Sequence, residues 1–328
     1  MLEPDFASIV SIENLLLAWQ EFLRGKKQRT DVQEFQLHFM DNILGLYNNL
    51  TSGKYIHGPY EAFAINDPKP RSIHKASVRD RLLHHAIYRS LYMYFDDKFI
   101  YDSYSCRKWK GTHKALKRFE TLAIRASLSH TKTLWVLKCD VRKFFASIDH
   151  DILIKIFKIH LKDDQTVDLL KEIIKSFSTT PHKGLPLGNL TSQLFVNIYM
   201  DWFDRWAKHL LKGKYYIRYA DDFVLMHTDR AVLENYLVQI RSFLKDNLAL
   251  DLHPDKVFIK TLASGVDFLG WVHFTNHRVL RGATRRRMMR KVKEKPYATT
   301  LNSYKGMLGH GNGHQLARML DNVARNDI

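Results

Sequence analysis

Apolar residues recur along this chain with two different periods. Between residues 10 and 50 they follow helical spacing, first Leu15, Leu16, Trp19 and Phe22, then Phe35, Phe39, Ile43 and Leu46, with the basic stretch RGKKQRTD between the two sets. That pattern predicts a pair of helices. YEAFAINDPKPRSIHKAS reads instead as a β-hairpin, Pro-Lys-Pro at 68–70 marking its turn and leaving Lys69, Arg71 and Lys75 near the tip. Helices are predicted over 79–98 and 112–129, and the apolar run TLWVLKCDV (133–141) predicts a buried strand. Two more helices follow, from about Asp149 to His160 and over 165–177. After the Gly/Pro-rich PHKGLPLGN, a long helix is expected from about Thr191 to Leu211. IRYADDFVLMHTD (217–229) reads as a hairpin, with a helix over 230–247 after it and a pair of short strands around DKVFIKT and VDFLGWVHF. The last fifty residues read as helical from about Arg281, opening on an Arg-rich run, and no internal repeat is visible.

The hairpin at 217–229 places two adjacent carboxylates, Asp221 and Asp222, in an otherwise apolar segment. Desolvating both adds mutual repulsion to the cost of burial, so either solvent or a positive charge must offset it. A solvated turn is one solution; a metal site is the other, and it needs a further carboxylate. Asp140 qualifies, because it ends the apolar strand where side chains stop being core. Two adjacent strands carrying Asp140 and Asp221/Asp222 can hold two Mg²⁺ ions about 4 Å apart, an arrangement that clamps the attacking and leaving oxygens of phosphoryl transfer. Carboxylate oxygens suit Mg²⁺, with Mn²⁺ able to substitute, and the two cysteines, Cys106 and Cys139, lack zinc spacing.

At 328 residues and 45% hydrophobic content the chain can bury a large core, divided among two or three subdomains. A net charge of +17 calls for a polyanionic partner, nucleic acid or an acidic membrane surface. No apolar run approaches the roughly 18 residues of a spanning helix, and the N-terminus lacks the basic start of a signal peptide, which argues against a membrane role. Two cysteines without a disulfide framework fit a reducing, cytoplasmic setting.

YADD at 219–222 resembles the Tyr-X-Asp-Asp box of reverse transcriptases, and LKCDVRKFFASIDHDIL resembles that family's first catalytic-aspartate motif. GLPLGNLTSQLFVNIYMDWFD (184–204), LDLHPDKV (250–257) and FLGW (268–271) follow in the family's order and approximate spacing. The resemblance implies an α+β right-hand polymerase with an antiparallel palm sheet. It divides into an N-terminal helical segment (1–60), a fingers and palm domain (61–275) and a helical thumb (276–328). It implies RNA-directed DNA synthesis from deoxynucleoside triphosphates, with Asp140, Asp221 and Asp222 as catalytic metal ligands and Val141 lending a backbone carbonyl.

Further roles come from the same resemblance. Phe145 matches the bulky gate against a 2′-hydroxyl, its alternative being a core aromatic; adjacent side chains face different ways, so Phe144 and Phe145 divide these roles. Lys69 and Arg71 match the basic residues that hold the triphosphate, or else a solvated basic turn. Leu187 and Gln193 fall in the nucleotide-binding motif. Lys256 matches a lysine near the triphosphate that can protonate the pyrophosphate leaving group, its alternative being a surface lysine. FLGW matches the primer grip, with Gly270 allowing close backbone approach and Trp271 either stacking or packing. Arg286, Arg290 and Lys293 share one face of the predicted thumb helix and suit nucleic-acid phosphates.

Many family members carry Gln where this chain has Leu187. LPLGNLTSQLFVNIY most resembles reverse transcriptases of diversity-generating retroelements, and also related bacterial enzymes of phage defence, whereas retron and group II intron enzymes fit less well. A side chain that cannot hydrogen-bond there loosens base selection. The resemblance implies a structured non-coding or template RNA as partner, a cDNA product, and an accessory protein or homo-oligomer as further possibilities. The length leaves no room for an RNase H, an endonuclease or a full maturase region after the thumb. An RNA-binding protein with an inactive palm would not need all three aspartates. An RNA-dependent RNA polymerase would carry Gly-Asp-Asp and a smaller gate.

Overall fold

A computed structural model describes residues 3–66, 70–295 and 297–326. Helices span Phe6–Val10 (α1), Ile12–Phe22 (α2), Thr30–Leu37 (α3), Phe39–Thr51 (α4), Val78–Asp96 (α5), Thr112–Ala126 (α6) and Phe144–Ser147 (α7). They continue with His150–His160 (α8), Asp164–Lys175 (α9), Leu190–Arg205 (α10), Arg230–Leu248 (α11), Gly282–Glu294 (α12), Ala298–Leu308 (α13) and His314–Asn326 (α14). Strands are Glu61–Ile65 (β1), Arg71–Lys75 (β2), Trp135–Asp140 (β3), Tyr216–Tyr219 (β4), Asp222–His227 (β5), Phe258–Thr261 (β6), Val266–Phe268 (β7), Trp271–His273 (β8) and Arg278–Leu280 (β9). Among the described residues no helix is long and apolar enough to cross a membrane.

The chain forms two compact units, each built from three separate stretches. The first comprises 1–101, 141–206 and 242–251. Its α2 buries Leu15, Trp19 and Phe22 as helical spacing predicts, with Ala18 rather than half-buried Leu16 completing the stripe, and Ser11 caps its amino end by accepting from the Asn14 amide. The stripe packs on α5, where Leu82, Leu83, Ala86, Ile87 and Leu91 are buried. Helix α10 is buried on nearly every side, with Phe195, Tyr199, Met200 and Phe203 fully enclosed, as expected of a core helix. The hairpin β1–β2 leaves every residue of β1 exposed. Its second strand is tied down by the His74 amide, which donates to the Leu187 carbonyl at 2.9 Å, and by Asn189, which donates to the His74 carbonyl at the same distance. Gly188 makes this approach feasible: its φ is +107°, and a Cβ would stand 2.7 Å from Ile73 Cγ2.

The second unit comprises 102–140, 207–241 and 252–328. Its centre is a four-stranded antiparallel sheet in the order β4-β5-β3-β6. Phe119, Leu122 and Ala123 of α6 share a core with Val136, Ile217, Val224 and Met226 on one sheet face. Because side chains alternate along a strand, Lys138 and Asp140 lie on the same face as Val136, and Asp222 on the same face as Val224. The strands β7-β8-β9 form a smaller antiparallel sheet, and Trp271 and Leu280 from it join Met288, Val292, Leu308 and Leu320 of the C-terminal helices in a second core.

Several elements differ from the sequence expectation. The N-terminal helical pair is four helices, since Ser11 takes extended dihedrals and His38 (φ −117°, ψ 42°) interrupts the third and fourth. The long helix ends at Arg205 and passes into a π-helical turn over Trp206–Leu210. The pair of strands around DKVFIKT and VDFLGWVHF is three, and β9 precedes the final helices.

Candidate active site

The turn between β4 and β5 contains two residues, Ala220 and Asp221, because Tyr219 pairs directly with Asp222. Two-residue hairpins need a left-handed first central residue, and Ala220 adopts φ +56°. A residue with a Cβ is held there at a cost of order 1 kcal/mol. Buried Arg218 supports the turn: its Nη1 donates to the Ala220 carbonyl at 3.0 Å and its Nη2 to Ser103 Oγ at 3.0 Å. On the neighbouring strand, Asp140 stands opposite Asp222 in register. The three aspartates are therefore gathered at one end of two paired strands, as the strand reading of TLWVLKCDV and IRYADDFVLMHTD anticipates.

Lysines sit against these acids. Lys256 Nζ donates to Asp140 Oδ1 at 2.8 Å, and the His253 amide donates to the Asp140 carbonyl at 2.7 Å. Lys138, itself buried, brings its ammonium 3.2 Å from Asp222 Oδ1, close enough for ion pairing but not aligned as a hydrogen bond. Asp222 Oδ1 is buried with no hydrogen-bond partner among the described residues. Burial raises the Asp222 carboxyl to about 7; Lys138 opposes the rise, and the neighbouring Asp221 and Asp140 add to it.

The aspartates offer hard oxygen donors, which suit a divalent cation of the Mg²⁺ kind. Among the described residues no group of three or more His, Cys, Asp or Glu side chains is arranged to hold a metal ion by itself. An open arrangement still fits such an ion, because Mg²⁺ keeps waters and takes substrate phosphates as further ligands. Asp222 Oδ1 has the Lys138 ammonium at 3.2 Å but no aligned hydrogen bond among the described residues, and burial still raises its proton affinity, a condition that a further cation relieves.

The other residues named from the sequence fall as follows. Val141 is buried. Phe144 is core, and Phe145 beside it is half-buried, so the two rings do divide their environments. Arg71 is exposed at the start of β2, and Lys69 lies outside the described residues. Leu187 and Gln193 are half-buried in the first unit, on either side of the amino end of α10. Leu269 and Gly270 both take positive φ (51° and 84°) in the tight β7–β8 turn, so the glycine meets a conformational need, with only Thr284 Oγ1 within 4 Å of a Cβ. Trp271 is 3% exposed and packs; its ring lies where a Cβ on Gly311 would come within 2.2 Å. Arg286, Arg290 and Lys293 are all exposed on α12, opposite buried Met288 and Val292, and Arg290 lies 3.7 Å from Glu294.

Two residues at the site escaped the sequence reading, Lys138 and Arg218. Lys138 could have been found by alternation, since it lies two positions before Asp140 and so shares its face.

A helix-covered antiparallel sheet that carries carboxylates at a hairpin turn and on the adjoining strand defines a polymerase palm. Residues 66–273 match the family model described as reverse transcriptase (RNA-dependent DNA polymerase). The chain belongs to that family, and its matched domain is that of an RNA-directed DNA polymerase. It is 26% identical over 298 residues to protein YkfC of Escherichia coli K12, covering 78% of this chain and 76% of that protein. It is 24% identical over 180 residues to the group II intron-encoded protein LtrA of Lactococcus lactis subsp. cremoris, covering 52% of this chain and 29% of LtrA. The fold matches a solved telomerase from Candida albicans with a TM-score of 0.54 at 10% identity, over 70% of this chain and 48% of that one. The right-hand polymerase fold is thereby established, with the chain spanning about half of the telomerase chain and under a third of LtrA.

Proposed function

We propose that this protein synthesises cDNA on an RNA template by nucleotidyl transfer at Asp140, Asp221 and Asp222. The observation that carries this reading is the in-register pairing of Asp140 with Asp222, whose buried Oδ1 has no hydrogen-bond partner among the described residues. The three carboxylates and the Val141 carbonyl would hold Mg²⁺, or Mn²⁺ in its place; such ions, when bound, stabilise charge on the attacking and leaving oxygens. The chain's own residues have separable tasks. Lys138 limits repulsion between the acids, and Lys256, ion-paired with Asp140, would give up a proton from its ammonium to the departing pyrophosphate. Arg71 and Lys69 would bind the triphosphate, Phe145 would exclude the 2′-hydroxyl, and Leu187 and Gln193 would contact the incoming nucleotide. Gly270 and Trp271 would shape the primer grip, and Arg286, Arg290 and Lys293 would take strand phosphates.

Leu187, in place of a hydrogen-bonding side chain, supports a diversity-generating retroelement as the biological setting, with a dedicated structured RNA as template. The same residue supports a phage-defence enzyme acting with its own non-coding RNA as the second reading. Primer extension on an RNA template with deoxynucleotides tests the activity, and a chain inert with every divalent cation tried would overturn it. RNA recovered with the protein from its native cell tests the setting: one dominant species is expected, and recovery of bulk RNA in proportion to abundance would sink the dedicated partner.

A further inference from the structure

The second unit carries a cavity of about 240 Å³ whose lining includes none of the catalytic or nucleic-acid residues named above. It lies between the carboxyl half of α6, the turn that joins β8 to β9, and the 309–313 loop that joins α13 to α14. His273, 3% exposed, forms part of its wall. Burial drives that ring to about 3, with Arg278 adding to the shift, so it is neutral, and the Phe268 carbonyl accepts a hydrogen bond from it. The ring's one proton is thereby used. Its Nε2 is a buried lone pair with no partner among the described residues.

His130 supplies a second acceptor. Ser127 donates its hydroxyl proton to the Ala123 carbonyl at 2.8 Å and accepts from His130 Nδ1 at 3.2 Å, which leaves Nε2 of the neutral His130 ring unpartnered among the described residues. Leu128, Ser129 and His130 reach this position through three successive positive φ angles (51°, 56° and 66°), a run that residues with a Cβ rarely adopt.

Charge is balanced here, although the chain carries +17 overall. Arg278, the one Lys or Arg of the lining among the described residues, pairs with Glu120 at 3.5 Å and donates to the Leu116 and His310 carbonyls. A phosphate would meet no surplus cation. The histidines are not arranged to hold a metal ion either. What the walls offer is flat apolar surface and hydrogen-bonding edges. The Phe119 ring lies 4.3 Å from that of His273, Phe274 and His277 stack at 4.8 Å, and exposed Asn276 and Asn312 add amide groups.

We propose that this cavity binds a free, uncharged nucleoside, its base stacked on the aromatic walls with N–H groups donating to His273 Nε2 and His130 Nε2, and its sugar at the two asparagines. Such a ligand would tie α6 to the 309–313 loop. Gly311 of that loop lies so close to Trp271 that a Cβ would come within 2.2 Å of the ring, so occupancy braces β8 at the proposed primer grip. That effect on the primer alone rests on the polymerase reading; the binding site does not.

Isothermal titration calorimetry of the full chain with adenosine, guanosine, cytidine and uridine, without template or divalent cation, tests the site. Saturable binding of at least one is expected. Ala123→Leu, which fills the cavity from α6, should weaken it at least about tenfold. His130→Gln, at a half-buried position, should weaken it about fivefold and keeps the test decisive if Ala123→Leu fails to fold. Lys117→Gln, on the exposed face of α6, should change it less than about twofold. The 5′-monophosphate of the same nucleoside should bind about fivefold more weakly, since its charge gains no partner. Failure of all four nucleosides to bind would leave His273 Nε2 to a water molecule and overturn the proposal, as would unchanged affinity in the folded variants or tighter binding of the monophosphate. Displacement by an oligoribonucleotide at equal base concentration would overturn it in favour of a strand. Saturating nucleoside should shift the KM for primer by about fivefold, and an unchanged KM would overturn the effect on the primer. A chain without polymerase activity would remove the polymerase reading while the calorimetry still decided the cavity.

Discussion

Two carboxylates, Asp80 and Asp222, are taken out of water in different ways. Asp80 is fully buried and fully occupied: it accepts from Tyr55 Oη at 2.9 Å, Ser77 Oγ at 2.7 Å, the Gly58 amide at 3.1 Å and the Arg79 guanidinium at 2.9 Å. Burial pushes its proton affinity up, but the Ser77 bond, His57, Arg79 and Tyr55 outweigh it and hold the carboxyl below its usual value. Asp222 keeps an orphaned oxygen, and burial prevails, raising it to about 7. A carboxylate whose neighbours satisfy it serves the fold, whereas one left unsatisfied is held ready for something that arrives later.

The comparison is broken or sharpened first at the palm. Asp140→Asn, Asp221→Asn and Asp222→Asn should each reduce primer extension by on the order of 10³-fold or more, as expected when groups that stabilise developing charge are lost. Asp222→Asn relieves repulsion among the acids but leaves buried Lys138 without its 3.2 Å partner, so at pH 8 its melting temperature should fall by much less than that of Asp80→Ala. Millimolar Mg²⁺ should raise the melting temperature of the unaltered chain more than that of the variant. A variant that unfolds instead would show Asp222 to be as structural as Asp80.

Asp80→Ala should do the reverse. It strands the Tyr55 hydroxyl and the Gly58 amide, and should cost about 3 kcal/mol in urea unfolding. If Asp80→Ala is tolerated as well as Asp222→Asn, the distinction between the two acids fails.

Acid should act on the same unit that Asp80 holds together. Burial drives His84 to about 3, with His57 adding to the shift, and burial with Lys26 and Arg81 drives His85 to about 4. Both are held neutral, so the unfolded chain binds more protons below its ordinary histidine value of 6.5. Stability is therefore complete above about pH 6.5 and falls as the pH drops toward the folded values. Melting curves at pH 7.5 and pH 5 should show a loss of about 1–2 kcal/mol from His84. His84→Gln should flatten that dependence, and an unchanged slope would exclude the buried histidine as its source.

The smallest effect is expected at Phe145. Its replacement by Ala should relax discrimination against ribonucleotides by about tenfold, the scale on which apolar pocket walls distinguish substrates. An unchanged ratio of ribo- to deoxynucleotide incorporation would return Phe145 to the core with Phe144.

What the sequence made legible is what is local. Asp221 and Asp222 announce themselves by standing together in a two-sided apolar hairpin, and Asp140 by ending an apolar run. The β1–β2 hairpin follows from alternation and proline. Lys138 carries no local signal, because one charge inside WVLKCD does not alter the strand pattern, although alternation sets it beside the acids. Asp80 with Tyr55 and Ser77, or His130 with His273 and Asn312, is joined only by tertiary packing, so no local period marks these clusters. The break at His38 depends on the dihedrals of a single residue, and the π-helical turn from Trp206 on a change of hydrogen-bond register; hydrophobic spacing encodes neither.

The catalytic strands are also distant in time. Asp140 finds Asp222 some eighty positions later, and β6 closes the other edge of β3 further on still. During synthesis at roughly 5–20 residues per second, β3 emerges several seconds before either partner, exposing both edges of an apolar strand. Its pairing then requires closing long loops, the slow step in folds rich in non-local contacts. A nascent chain therefore passes through an interval in which an apolar strand with two free edges is unpaired, and slowing translation across residues 140–261 should lengthen that interval and lower the yield of folded protein.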